Sequence, residues 1–267
     1  MTRNIPTHLA PILEKLELEK PSLVSMQQLE KIVKAAGIKT EVRVVASRLR
    51  ERGWLLATPQ AGIWEFAPAE LAGPFPSLDP FMPLQAYLLK RPAAKCAITL
   101  QTAAWARGFA DRVPPVIEVA FSQNSTFPKS PAQMCLSKFT PKILPEIIKG
   151  VPVLTPESII VQMSLKPSSV RSWESAFEWL PELAYEADAE RIVRELLGRS
   201  LAVAQRCGYL LQGMRPDLSR IIHYEFPPKT KVRFGSRSKA LRNDEYWLIS
   251  DPLLPFNPKE ISAVKLQ

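Results

Sequence analysis

The chain has 267 residues, of which 46% are hydrophobic, so it can form a core and is not expected to be disordered as a whole. Its 35 basic and 26 acidic residues give a net charge of +9, which favours a polyanionic partner. The sequence has no apolar run long enough to span a membrane and no apolar segment typical of a secretion signal. We therefore expect a cytoplasmic protein with no membrane partner.

The first seventy residues show the signals of three helices followed by a hairpin. Apolar spacing and turn residues predict helices over 6–20, 26–36 and 41–52, and strands over 54–56 and 63–66. Ser25 and Thr40 are placed to cap the second and third helices. This order is typical of a winged helix. The predicted fold class is therefore α+β, with an N-terminal winged-helix domain followed by a larger mixed α/β domain.

Prolines crowd residues 71–83, which predicts a connector between a winged-helix domain of residues 1–70 and a second domain of residues 84–267. In the second domain, the patterns predict helices over 84–89, 99–108 and 189–207, a helix capped by Thr155, and strands over 115–121, 152–154 and 246–249.

The third predicted helix has two chemically different faces. Val42, Val45 and Leu49 form an apolar face that should pack on the first two helices. Arginines on the opposite face can pair with guanine or bind phosphates in a major groove. The predicted DNA-contact residues are Lys39, Thr40, Arg43, Ser47, Arg48, Arg50 and Gln60, the last at the hairpin tip. The alternatives are a solvated helix face and, for Gln60, an ordinary turn.

A second basic segment follows near the C-terminus. It contains Lys229, Lys231, Arg233, Arg237, Lys239 and Arg242, without an acidic residue between them. The first three alternate and would share one face of a strand. The segment is either a surface that binds phosphates or an acidic partner, or a solvated edge strand protected by its charge.

Signals of catalysis and metal binding are weak. The chain has no phosphate-binding glycine loop, no H-E-x-x-H and no G-x-S-x-G motif. Asp111 and Glu118 come nearest to the carboxylates of a metal-dependent nuclease, but Ala120 stands where its lysine would be. His223 is interpreted as a structural or surface residue. We expect no enzyme, no catalytic residue and no cofactor.

The cysteine pattern also gives no indication of a metal site. Cys96, Cys135 and Cys207 lie far apart, and the chain has only two histidines, so no zinc-ligand pattern is present. We expect unpaired thiols in a reducing compartment and no metal.

Four stretches carry a family resemblance: residues 47–55 (SRLRERGWL), 98–109 (ITLQTAAWARGF), 151–162 (VPVLTPESIIVQ) and 206–211 (RCGYLL). In order and spacing they resemble the AbiEi-type antitoxins of type IV toxin–antitoxin systems. Gln162 stands where that family usually has an aspartate.

The resemblance implies a protein that binds inverted repeats of double-stranded DNA in its own promoter and represses transcription. It also implies a cognate nucleotidyltransferase-like toxin, which the larger domain counteracts without needing a stable complex. Two alternatives stay open: a ligand-responsive winged-helix repressor, and a DNA-processing enzyme anchored by a winged helix.

Overall fold

The computed structural model describes residues 7–70, 79–127, 134–236 and 239–261. The chain divides into two compact units, residues 1–94 and 95–267, and each combines helices with sheet. The fold is thus mixed α+β. Residues 71–78 of the predicted connector lie outside the described residues. Within the described residues, no helix has the length and apolar character needed to cross a membrane.

The first unit is built from short elements around one core. They are α1 (Ala10–Glu19), β1 (Leu23–Ser25), α2 (Met26–Ala35), α3 (Val42–Glu51), β2 (Leu55–Ala57), β3 (Ile63–Phe66) and α4 (Met82–Lys90). Strand β3 is the centre of an antiparallel sheet and pairs with β1 on one side and β2 on the other. Sequence patterns missed β1, because it pairs with β3 far along the chain and no turn signal links the two strands.

Helix α4 belongs to the first unit, whereas the sequence assigned it to the second domain. Its buried Ala86 packs with Leu23 of β1 and Ile63 of β3, and Met82 packs against the same cluster. The second unit accordingly begins at Lys95 rather than at residue 84.

One of the two predicted caps of the first unit is present. The Ser25 hydroxyl accepts a hydrogen bond from the Gln28 N–H (3.2 Å), and the Gln28 side chain accepts one from the Ser25 N–H (2.8 Å). For α3 the predicted cap at Thr40 is wrong. The helix begins one residue later, with Glu41 at the N-cap and no side-chain bond there.

In the part of the chain that the structure describes, the second unit contains two sheets and six α-helices. Its elements are β4 (Cys96–Ile98), α5 (Leu100–Ala106), β5 (Ile117–Phe121), β6 (Met134–Lys138), β7 (Glu146–Ile148), β8 (Val151–Val153), α6 (Pro156–Leu165), α7 (Trp173–Tyr185), α8 (Ala189–Leu196), α9 (Leu201–Leu211), α10 (Pro216–Glu225), β9 (Val232–Arg233), β10 (Arg242–Asp244) and β11 (Ile249–Asp251). The larger sheet has the order β6-β5-β4-β8-β7, and the smaller one β10-β11-β9.

The core of this unit lies around α6 and β5. Every residue of β5 is buried, as is α6 from Pro156 to Ser164. The Thr155 hydroxyl accepts a hydrogen bond from the Ser158 N–H, which confirms the predicted cap of α6. Gln162 is buried, and its side-chain amide forms hydrogen bonds with the side chains of Thr99 and Ser137. It therefore connects α6 to the end of β4 and to β6.

Two predicted elements of the second unit are wrong. The single helix expected over 189–207 is two helices, because Gly198 adopts a φ of 68° and ends α8. The late strand covers Ile249–Asp251 instead of 246–249. Trp247 lies in the preceding turn, where its N–H donates to Asp244 Oδ1 (2.7 Å).

The three cysteines differ in accessibility. Cys96 in β4 and Cys207 in α9 are buried, whereas Cys135 in β6 is exposed, and none forms a disulfide. Burial raises the pKa of the Cys96 and Cys207 thiols to about 12.

Candidate nucleic-acid interface

Helix α3 buries one face and exposes the other, as its sequence period predicts. Val45, Ala46 and Leu49 are buried in the core of the first unit, and Val42 packs against that core. The side chains of Arg43, Ser47 and Arg50 are exposed. The predicted polar face is therefore a surface of the molecule.

The two outermost arginines of this face have no partner within the described part of the chain. Neither the Arg43 nor the Arg50 guanidinium forms a hydrogen bond or ion pair there. Just before the helix, Lys39 is exposed and Thr40 is half-buried. The guanidinium groups therefore keep all their donors available to a ligand.

Two other residues of the predicted face are held by bonds inside the first unit. The Ser47 hydroxyl donates to Glu51 Oε1 (3.1 Å). Arg48 Nη1 bonds to Nε2 of His8 (3.0 Å), which lies just before α1. Because His8 is 40 residues away in the chain, no local signal in the sequence could identify it as the partner that orients Arg48.

The hairpin tip does not present Gln60, and the predicted contact through that side chain is corrected. Gln60 is only 8% exposed. The Thr58 hydroxyl donates to the Ile63 carbonyl (2.8 Å) and accepts from the Gln60 N–H (3.2 Å), so the turn folds over itself. Lys90 of α4 adds a bond to the Ala61 carbonyl (2.9 Å).

The second basic segment is only partly available. Lys229, Lys231, Arg233 and Lys239 are exposed, and Arg237 lies outside the described residues. The strand formed here, β9, is two residues long, so the three alternating side chains do not share one extended strand.

Arg242 is a structural residue, which corrects its place in the predicted basic patch. Its guanidinium donates to Asp251 Oδ2 (2.7 Å) and to the Leu254 carbonyl (2.9 and 3.0 Å). Tyr209 donates to the same carboxylate oxygen (2.9 Å), and the N–H groups of Leu253 and Leu254 donate to the other oxygen. Burial and the charge of Asp251 raise the pKa of Tyr209. The hydrogen bonds of Tyr209 and Arg242 to the Asp251 carboxylate therefore connect α9 to the smaller sheet.

The carboxylates considered for a nuclease do not form a site in the described residues. Asp111 is exposed, whereas Glu118 is buried and bonds to the Thr102 N–H (3.3 Å). Among the residues that the structure places, no group of three or more His, Cys, Asp and Glu side chains could hold a metal ion. His223 stacks on Tyr246, with ring centres 4.1 Å apart.

Comparisons with known proteins agree with parts of this description. Residues 94–213 match the family model of the AbiEi antitoxin C-terminal domain. The chain is also similar to the crystal structure of the RV2827C protein from Mycobacterium tuberculosis, with a TM-score of 0.79 and 25% sequence identity over 95% of this chain and 94% of that one. No curated protein matches the sequence. Three of the four stretches that carry the family resemblance lie within the matched segment.

Proposed function

We propose that the chain is an autoregulatory, DNA-binding antitoxin of a toxin–antitoxin system, because its residues 94–213 match the family model of the AbiEi antitoxin C-terminal domain. The first unit acts as a winged helix that binds inverted repeats in its own promoter and represses transcription. The second unit counteracts a nucleotidyltransferase-like toxin. The protein works by binding and carries out no reaction of its own.

The DNA-binding part of the proposal depends on the exposed, unpartnered pair Arg43 and Arg50. They lie on the face of α3 opposite the core. A helix of ten residues is about 15 Å long and fits a major groove about 12 Å wide. The element order of the first unit, three helices and a three-stranded sheet that includes the predicted hairpin, supports the winged-helix assignment.

Arg43→Ala and Arg50→Ala should each lower specific operator affinity by about 1–3 kcal/mol, because each removes a contact to a base. Binding of the full chain to its upstream DNA and to a scrambled duplex is measured by fluorescence anisotropy at one salt concentration. Lys15→Ala is the matched control, since Lys15 is an exposed cation of the same unit that already pairs with Glu19. Wild-type affinity in both arginine variants contradicts the assignment of α3.

The antitoxin part is tested separately, by expressing the chain together with the product of the adjacent gene and scoring growth. Wild-type chain and Arg43→Ala should both restore growth when expressed from an unrelated promoter, because the proposal gives toxin neutralisation to the second unit. Absence of rescue by the wild-type chain contradicts this part of the proposal.

A further inference from the structure

The hydrogen bond between His8 and Arg48 defines the protonation state of the imidazole. A guanidinium has only N–H donors, so Nε2 of His8, 3.0 Å from Arg48 Nη1, is the acceptor. The ring is therefore neutral and carries its single proton on Nδ1. A second proton, on Nε2, would turn the acceptor into a donor and end this bond.

The pair lies at one side of the exposed face of α3. Ser47 is at the middle of that face, and Arg48, the next residue, is turned from it by about 100° around the helix axis. Arg43 and Arg50 lie on the other side of Ser47. His8 is exposed and Arg48 is half-buried, so a ligand can reach both side chains.

In the proposed complex with DNA, this side of α3 lies next to the phosphates. When the middle of a helix face points to the base edges of a major groove, the sides of the helix meet the sugar–phosphate walls. A phosphodiester oxygen accepts hydrogen bonds and donates none. It can therefore take N–H groups from Arg48 and from His8 Nε2 together only when Nε2 carries a proton.

The charged groups around the pair also favour an anion. Four charged residues of α3 and its caps lie on this side of the helix: Arg48, Arg52, Glu41 and Glu51. Glu51 accepts a bond from Ser47, and Glu41 is at the N-cap, two turns before Arg48. On α1, Lys15 and Glu19 pair with each other at 2.7 Å. A protonated His8 would thus face the Arg48 charge, and a phosphate between the two is attracted by both.

We propose that His8 and Arg48 are a phosphate-binding pair, which takes up one proton from the solvent on His8 Nε2 when the chain binds DNA and holds one backbone phosphate between the two side chains. This inference rests on the proposed DNA-binding function. A phosphate carries no sequence information, so the pair adds affinity for any duplex, and specificity stays with Arg43 and Arg50. Because one proton enters on binding, affinity rises as the pH falls, by at most about tenfold per pH unit.

The affinity of the full chain for its upstream DNA, measured by fluorescence anisotropy at fixed salt between about pH 6 and pH 8, tests the proposal, because imidazole is the side chain that ordinarily changes charge in this range. Wild type should bind at least about threefold more tightly for each unit by which the pH is lowered. A scrambled duplex should show the same pH dependence at lower affinity. His8→Gln, whose amide oxygen can still accept from Arg48 but takes up no proton, should lose the pH dependence and bind like wild type at the upper end of the range.

Two variants of the second unit are the matched controls. His223 is the other histidine of the chain and stacks on Tyr246. Glu118 is a buried carboxyl whose pKa is raised to about 7, so it also titrates in this range. His223→Gln and Glu118→Gln should both keep the wild-type pH dependence of DNA affinity. Arg48→Ala should lower affinity at every pH, and by the same factor for the operator and for the scrambled duplex.

NMR of the imidazole nitrogens gives a direct measurement. At neutral pH, long-range proton–nitrogen spectra should show a proton on Nδ1 alone in the free chain and protons on both ring nitrogens of His8 in the complex. A neutral His8 in the complex, or a wild-type pH dependence of affinity in His8→Gln, overturns the proposal. If the wild-type chain does not bind its upstream DNA at any pH, the proposed function fails, independently of His8.

Discussion

Glu118 is a carboxyl group in the middle of the larger sheet, in β5. It is 4% exposed, and its side chain accepts a hydrogen bond from the Thr102 N–H while its own N–H donates to the Thr102 hydroxyl (2.9 Å). Burial raises the pKa of Glu118 to about 7, although the backbone bonds to Thr102 and Gln101 oppose the rise.

This raised pKa predicts a pH dependence of stability. The folded state holds the Glu118 proton more tightly than the unfolded state, whose carboxyl has a pKa of 4.5. The contribution of protonated Glu118 to the free energy of unfolding is therefore fully present below pH 4.5 and is lost as the pH rises through 7. The loss amounts to about 3 kcal/mol. Urea unfolding at pH 5 and pH 8 should show this loss, and Glu118→Gln should reduce it. Glu178→Gln, at an exposed glutamate, is the control. A wild-type pH dependence in Glu118→Gln contradicts the prediction.

At the scale of elements, α9 shows why the stretch 206–211 has its composition. Arg206 Nε donates to the Arg233 carbonyl in β9 (2.7 Å), and Tyr209 donates to Asp251 in β11. Between them, Gly208 lies against the ring of Trp247. Three contacts within four residues thus attach α9 to the smaller sheet and its turn, so this stretch stabilises the fold.

Gly208→Ala should destabilise the second unit. An added Cβ would lie 2.1 Å from two atoms of the Trp247 ring, and the ring is buried and cannot move away easily. Overpacking of this kind costs about 1–3 kcal/mol, whereas the same change in an unconstrained helix stabilises by about 1 kcal/mol. Thermal or urea unfolding of Gly208→Ala and wild type shows whether the substitution lowers or raises the free energy of unfolding. Replacing Trp247 by Leu in the same background should recover part of the loss, and an increase in stability of Gly208→Ala alone contradicts the packing argument.

The sequence predicted well those elements in which the apolar pattern continues over enough residues to be recognised. The two faces of α3 follow from ten residues of amphipathic spacing, and β5 follows from a run of apolar residues that only Glu118 interrupts. Strands β1 and β7 have three residues each and owe their existence to the strands beside them. Their positions could not be inferred from local patterns.

The candidate site was predicted in part, for a similar reason. The exposure of Arg43 and Arg50 depends on local helix geometry, which the sequence encodes. Arg242 was interpreted as a phosphate contact because its partner, Asp251, meets it only in the folded chain. Gln60 was placed at an exposed tip, although Thr58 folds that turn inward. Tertiary contacts decide such positions.

At the scale of the whole molecule, basic surfaces occur in both units. The first unit has the α3 face, and the second has the exposed lysines around β9. Affinity for DNA falls with salt in proportion to the number of phosphates that a protein neutralises. The salt dependence of binding therefore measures whether the second unit takes part.

We expect Lys229 and Lys231 to contact phosphates when the full chain binds its operator. The double variant Lys229→Ala/Lys231→Ala should then reduce the slope of log affinity against log salt by about 1.8, with little change in sequence preference. Lys95→Ala is the control, because Lys95 is an exposed lysine of the second unit outside this segment. An unchanged slope in the double variant shows that the lysines are solvated surface residues.

The distribution of cysteines has a practical consequence. Only Cys135 is accessible in the folded chain, and it lies on β6, at the end of the larger sheet opposite β7. A maleimide dye should therefore attach at one position without any engineering of the sequence. The two buried thiols become reactive only when their surroundings open, so the number of dyes bound per molecule reports how much of the second unit has come apart.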